Sequence, residues 1–322
     1  MSSAVSVVVP ALGDVELLEP CLASITRELA DRAQGDELVL VDDTGTGELS
    51  AWATEHFPSA RLLTRAENGG FARALASGID AAEHDLVFSM NSDLVARPGF
   101  LAPLVGRLCQ PATPVQCGVF AVVPRVLRLP GATGVESLVR LRLADGGLQV
   151  EQPLLDEDAG LALDEGAPLP VPFALGGACL FRASEFAELG GFDPLFEPFY
   201  MEDADLCWRA WRGGRQVLLE PRSVCEHVNQ ATISSAVEPA VRDAAIDRNA
   251  LLFLWKHLDG VALERHLEEL AQRARRAWLL EDRAELVRLA LALEQVGPVL
   301  AARSIQPAPV APFAELLALS QP

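Results

Sequence analysis

The N-terminal part of the chain alternates two hydrophobic patterns. Short unbroken apolar runs are each followed by a stretch in which apolar residues return every three or four positions. The first run, Ala4 to Val9, reads as a buried strand stopped by Pro10, which has no backbone donor. Leu17, Leu18, Cys21, Leu22, Ile25 and Leu29 then fall on one helical face, and Glu37 to Val41 is a second strand ending in Asp42 and Asp43. The alternation predicts a helix over Leu49 to His56, a strand over Arg61 to Thr64, a helix over Phe71 to Ala82 and a strand over Asp85 to Met90, running into Asn91-Ser92-Asp93. Repeated strand–helix–strand units of this kind imply an α/β fold with a wound, mostly parallel sheet and flanking helices. In such sheets ligands bind past the C-terminal ends of the strands, where the polar residues of this chain gather.

From Pro130 to Pro172 the pattern weakens into prolines, glycines and scattered acids, with a hairpin expected at Asp145-Gly146-Gly147, so this stretch reads as an insertion. A strand over Phe173 to Phe181, a helix over Ala183 to Leu189, a helix over Glu202 to Trp211 closed by Gly213-Gly214, and a strand over Gln216 to Leu219 follow. From about Val237 the periodicity is helical, and the Leu-Ala-rich segment from Leu263 to Ala302 is laced with Glu and Arg. Pro307 to Pro312 breaks it and leaves a short tail expected to be mobile. The expected division is a catalytic domain over 1–235, split into a nucleotide-binding half (1–125) and an acceptor half (126–235), and a C-terminal helical extension and tail over 236–322.

Composition narrows the partners. The 322 residues are 50% hydrophobic and 22% charged, which suits a globular chain. Formal net charge is −19, from 26 Lys and Arg against 45 Asp and Glu, so the surface repels polyphosphate and nucleic acid is a poor partner. An anionic ligand would need a local device, such as a metal ion or a helix N-terminus. The six cysteines form no C-x-x-C pair, which points to reduced thiols rather than zinc or a disulfide framework. No basic n-region with an apolar run opens the chain and no segment is long enough to span a membrane, so a cytoplasmic location is expected. Peripheral contact at the inner face of a membrane is compatible with this.

Three acidic places carry candidate chemistry. Asp42-Asp43 could accept hydrogen bonds from a base or a ribose, or could equally turn the chain and cap the next helix. Asp93 of Asn91-Ser92-Asp93 could hold Mg²⁺ or Mn²⁺ against a diphosphate, because these ions bind through one or two carboxylates and let phosphate oxygens complete the shell. Glu202-Asp203-Ala204-Asp205 opens an amphipathic helix. The helix dipole favours acids there whatever their function, but an apolar approach through Phe196, Phe199, Tyr200 and Met201 would raise a carboxyl pKa and suit it to act as a general base. His227, after Glu226, is one of only five histidines.

Together these residues resemble the family 2 glycosyltransferases of bacteria, in particular a rhamnosyltransferase-like subgroup. The resemblance runs from about Val5 to Lys256. It rests on Val7 to Pro10 (Val-Val-Val-Pro), Val41 to Asp43 (Val-Asp-Asp), Asn68 to Ala72 (Asn-Gly-Gly-Phe-Ala) and Met90 to Asp93 (Met-Asn-Ser-Asp). Later matches are Gly176 to Arg182 (Gly-Gly-Ala-Cys-Leu-Phe-Arg), Gly190 to Asp193 (Gly-Gly-Phe-Asp) and Glu202 to Arg209 (Glu-Asp-Ala-Asp-Leu-Cys-Trp-Arg). It implies an A-type glycosyltransferase fold and an inverting, metal-dependent transfer of a hexosyl or deoxyhexosyl group. The donor would be a UDP- or dTDP-linked sugar, and the acceptor a glycan, a lipid-linked molecule, a protein or a small molecule. By the same resemblance Asp42 contacts the donor base, with Pro10, Asn68, Arg73, Asn91 and Ser92 also at the donor. Asp93 and His227 bind the divalent metal, Asp203 is the general base, and Glu202 shapes the site. Asn91 stands where many relatives have a first Asp, and Ala76 where many have Asn.

Other readings fare worse. A nucleotidyltransferase would show a Gly-rich basic loop where Pro10-Ala11-Leu12-Gly13-Asp14 stands, and a dehydrogenase a G-x-G-x-x-G after the first strand. A catalytically inactive scaffold or binding module is the alternative that fold alone leaves open.

Overall fold

A computed structural model describes residues 4–110, 118–128, 134–152, 163, 166–228 and 238–321. Cys117 and the parts of the expected insertion at 130–133, 153–162 and 164–165 lie outside them. The N-terminal alternation is present as β1 (Val5–Ala11), α1 (Val15–Arg32), β2 (Glu37–Asp42), α2 (Glu48–His56), β3 (Arg61–Thr64), α3 (Phe71–Ala81) and β4 (Leu86–Met90). There follow β5 (Leu94–Ala96), α4 (Leu101–Leu108), β6 (Val119–Arg128), a hairpin of β7 (Arg140–Ala144) and β8 (Gly147–Glu151), β9 (Leu169–Pro170), β10 (Ala178–Arg182) and α5 (Ala183–Glu188). Then come α6 (Glu202–Arg212), β11 (Gln216–His227), α7 (Pro239–His257), α8 (Gly260–Leu279), α9 (Arg283–Leu293), α10 (Val296–Ser304) and α11 (Phe313–Leu319).

The main sheet has the order β3-β2-β1-β4-β10-β6-β11-β5, with β9 added along β11. β3, β2, β1 and β4 are parallel, as are β6 and β11, and β10 runs antiparallel between the two groups. Because strand side chains alternate, β1 feeds both faces. Val8 joins the apolar cluster under α3, α6 and α7, while Val5, Val7 and Val9 join the one under α1, α2 and α4. The expected hairpin turns at Asp145 and Gly146, both at positive φ, the combination that two-residue hairpin loops need.

Several expectations change. Pro10 does not stop β1: it pairs with Val41, and the strand runs to Ala11. Ala11 O accepts from Asp43 N, so in a parallel ladder the neighbouring Pro10 faces the β4 side. There pairing has already ended at Val8 with Ser89, and no donor is missed. The strand expected over Phe173 to Phe181 is confined to Ala178–Arg182, because donors ahead of it turn to α6: Ala174 N reaches Cys207 Sγ and Gly176 N reaches Asp203 Oδ2. β6 and β5 had no counterpart in the sequence reading. The final strand extends well past Leu219, with an irregularity between Glu220 and Val224 that reads as a loop in sequence.

The C-terminal helices are not all peripheral. Leu251, Leu252, Phe253 and Leu254 of α7 are buried in the same cluster as the sheet, and burying each contributes roughly 1.5–3 kcal/mol. The tail expected to be mobile ends in α11, whose Phe313 is buried with its ring 4.7 Å from that of Trp208. Cys21, Cys109, Cys179, Cys207 and Cys225 are free thiols, as expected. Among the described residues no helix is long and apolar enough to cross a membrane.

Candidate active site

Strand direction decides which residues can meet. β1, β2, β4 and β11 all present their C-terminal ends at one edge, and antiparallel β10 presents its N-terminal end there, with Ala178 opposite Met90. Asp42, Asn91 to Asp93, Gly176-Gly177 and His227 therefore gather at this edge, together with Asn68 to Arg73 at the start of α3 and Glu202-Asp203 at the start of α6.

Asp93 and His227 are joined by β-pairing. β5 lies antiparallel to β11 with Leu94 opposite His227, and Val228 N donates to Asp93 O at 3.1 Å. This sets His227 Nε2 3.0 Å from Asp93 Oδ2, while Nδ1 is 2.6 Å from Glu136 Oε2. Glu136 accepts in turn from Arg128 Nε at 2.6 Å. Burial would lower the His227 pKa, but the flanking carboxylates outweigh it and push it up to about 9. Burial likewise raises Glu136, yet His227 and Arg128 hold it down at about 2.

The pair fits a divalent cation. Two ligands at about 2.1 Å and at right angles in an octahedral shell lie about 3.0 Å apart, and the Asp93–His227 separation is 3.0 Å. A carboxylate behind the other ring nitrogen, as Glu136 is, fixes the tautomer and orientation of a metal-binding histidine. Among the described residues no group of three or more His, Cys, Asp or Glu could hold a metal, so the remaining positions would fall to phosphate oxygens and water. A cation would replace the proton that His227 otherwise carries between two carboxylates.

The second centre is the start of α6. Asp203 accepts from Gly176 N at 2.9 Å and from Ala204 N at 2.7 Å. Gly177 O accepts from Asn91 N at 2.7 Å, and a Cβ on Gly177 would overlap the Asn91 carboxamide. The two glycines thus connect the Asn91 end of β4 to Asp203, with no room for a side chain between. Burial raises the pKa of both Asp203 and Glu202, and the neighbouring Asp203 charge raises Glu202 further. Glu202 Oε2 is buried with no hydrogen-bond partner among the described residues. Glu202 also lines a cleft of about 550 Å³ together with Arg73, Ala76, Phe192, Asp193 and Pro198.

The remaining expected donor residues are engaged within the protein. Asp42 is fully buried and takes four hydrogen bonds, from Thr44 N and Oγ1 and from Ser50 N and Oγ. This is the capping role that the residue pattern had left open. Burial would raise its pKa, but these donors lower it. Asp43 accepts from Arg65 Nε and from the amides of Gly69 and Gly70. Asn68 Oδ1 accepts from Gly70 N at 2.9 Å. Arg73 forms a bidentate pair with Glu197 at 2.7 and 2.6 Å. Pro10 lies inside β1, and Ser92 is half-buried in the turn before Asp93.

Residues 6–146 match the family model described as Glycosyl transferase family 2. A pre-mycofactocin glycosyltransferase of Mycobacterium tuberculosis is 27% identical over 262 residues, covering 79% of this chain and 50% of that protein, so the chain spans about half that relative's length. An N-acetylglucosaminyl-diphospho-decaprenol L-rhamnosyltransferase of Mycobacterium tuberculosis is 26% identical over 236 residues, covering 69% of this chain and 76% of that protein. Among solved structures, that of GalNAc-T7 with UDP, GalNAc and Mn²⁺ superposes with a TM-score of 0.63 at 17% identity, covering 80% of this chain and 48% of that one. The fold is the A-type glycosyltransferase fold.

Glu136 and Asn249 were missed in the sequence. Glu136 sits in a stretch without periodicity, and nothing there marked it. Asn249 had a signal: a lone amide at helical spacing from Leu252 and Phe253 of α7.

Proposed function

We propose that the chain is a family 2 glycosyltransferase that moves a sugar from a UDP- or dTDP-linked donor onto an acceptor hydroxyl in a single inverting displacement. The observation that carries this reading is the Asp93–His227 pair, 3.0 Å apart and backed by Glu136, at the edge where Asn91 connects through Gly177 and Gly176 to Asp203. A divalent cation held by Asp93 and His227 would neutralise charge on the departing diphosphate. Asp203, made more basic by burial, accepts the proton of the acceptor hydroxyl. Its two amide donors aim the carboxylate, and each oxygen keeps a lone pair for that proton. Glu202 lines the acceptor side, and the cleft it borders supports an approach of the acceptor from between α3 and the segment before α6. A lipid-linked acceptor would bring the enzyme to the inner face of a membrane.

The test is thermal denaturation against a panel of nucleoside diphosphates and nucleotide sugars, with and without Mn²⁺. A ligand that binds only the folded chain raises its midpoint. One nucleotide is expected to stabilise only with metal, and Asp93→Ala to remove that response. No response to any nucleotide in the wild-type chain would overturn the reading.

A further inference from the structure

The loop that delivers Glu202 and Asp203 is held by a helix that lies beyond the matched family segment. Tyr200 and Met201, just before α6, have positive φ of 70° and 75°, which non-glycine residues adopt only where their surroundings enforce it. The enforcing contacts come from α7. Asn249, fully buried, donates the two hydrogens of Nδ2 to the carbonyl oxygens of Phe196 at 2.7 Å, Phe199 at 2.9 Å and Tyr200 at 2.9 Å, one hydrogen being shared between two of them. The opposite amide orientation would set Oδ1 against three carbonyls, so the network itself fixes which atom donates. Asn249 Oδ1 accepts from Arg248 Nε at 2.9 Å, and the same guanidinium donates to Glu197 O.

The grip continues on either side of the loop. Lys256 Nζ bridges Asp193 Oδ2 and Asp205 Oδ1, each at 2.6 Å, and His257 Nε2 meets Asp205 Oδ1 at 2.8 Å. Asp205 is the fourth residue of α6, and its amide donates back to Met201 O at 2.8 Å. The contacts of α7 thus bracket the segment from Asp193 to Asp205, with Asn249 at its centre.

We propose that Asn249, supported by Arg248, is a positioning residue that sets the Asp203 carboxylate by fixing the backbone of Phe196 to Met201. Its effect on turnover rests on the reading of Asp203 as base, whereas its effect on the loop does not. A position buried for packing alone is served by leucine, which has the same number and branching of side-chain heavy atoms as asparagine and donates nothing. Asn249→Leu therefore separates packing from positioning.

Hydrogen–deuterium exchange of the full chain reads the loop without any substrate. In Asn249→Leu, peptides over 196–204 are expected to exchange at least tenfold faster, with β1 and β4 at wild-type rates; unchanged exchange over 196–204 overturns the proposal. In turnover, kcat is expected to fall at least tenfold with donor KM within twofold, since Asp93 and His227 lie outside the segment that Asn249 holds. Unchanged kcat with a lowered midpoint would mark a structural role only. Should Asn249→Leu not fold, Arg248→Ala, at a half-buried position, is expected to give the same localised exchange at smaller size, and unchanged exchange there overturns the proposal too. If the wild-type chain turns over no nucleotide sugar, the glycosyltransfer reading fails while the exchange result still decides the role of Asn249.

Discussion

Asp42-Asp43 and Glu202-Asp203 are both acidic pairs at the ligand edge of the sheet, and both follow apolar stretches of sequence. Around the first pair the local chain is rich in donors: Thr44, Ser50, Arg65 and the amides of Gly69 and Gly70 occupy the carboxylate oxygens. Around the second pair donors are few. Asp203 has two amides, and Glu202 Oε2 has none among the described residues. Similar residues thus take opposite electrostatic states, with Asp42 held ionised and Glu202 and Asp203 pushed toward the protonated form. The difference shows that the donors the fold supplies, set against the depth of burial, separate a carboxylate held ionised from one pushed toward its protonated form.

Three substitutions test that contrast. The largest effect is expected from Asp203→Asn, which should lower kcat by about 10²–10⁴-fold, the usual worth of a general base. Donor binding followed by the metal-dependent midpoint should survive; retained turnover would remove Asp203 from the chemistry. Asp42→Ala comes next, with an expected stability loss of about 2 kcal/mol in urea denaturation from a lost cap and stranded donors. If stability held while donor affinity fell more than tenfold, Asp42 would be a donor contact and the two pairs would be alike.

The third effect is a pH dependence. Glu202 unfolded releases its proton near the ordinary 4.5, whereas burial and the Asp203 charge make the folded chain keep it until about 8. The folded state therefore binds more protons across that window, and stability falls as pH rises through it. Glu202→Gln removes this slope, so the variant should gain on the wild-type midpoint between pH 5 and pH 8. A constant difference across that range would contradict the raised pKa.

Much of the fold was legible because its signals are local. β2, β3, α2 and α3 appear within a residue or so of their hydrophobic patterns, since an apolar run or a helical stripe needs no distant partner to be recognised. β6 and β5 were not read from the sequence: Pro124 interrupts the apolar run of the first, and the second is three residues long. The full length of β11 was hidden by the irregularity at Pro221-Arg222-Ser223, which breaks the period without ending the strand. At the site, Asp93, His227, Asp203 and Glu202 were marked by their motifs. Glu136 was invisible because its tie to the site is a hydrogen bond to His227 Nδ1, across 91 positions of sequence.

By itself, the sequence determined the wound α/β class, the family resemblance, and which edge of the sheet carries the chemistry. These follow from periodicity and residue type, which are properties of neighbours along the chain. Only the tertiary structure decided that Pro10 stays in β1, that the four hydrogen bonds of Asp42 are met within the protein, that Asp93 and His227 meet across β5 and β11, and that a buried asparagine in α7 grips the loop ahead of Asp203. Each depends on which donors and acceptors the packed strands and helices bring within about 3 Å, a distance that no local pattern encodes.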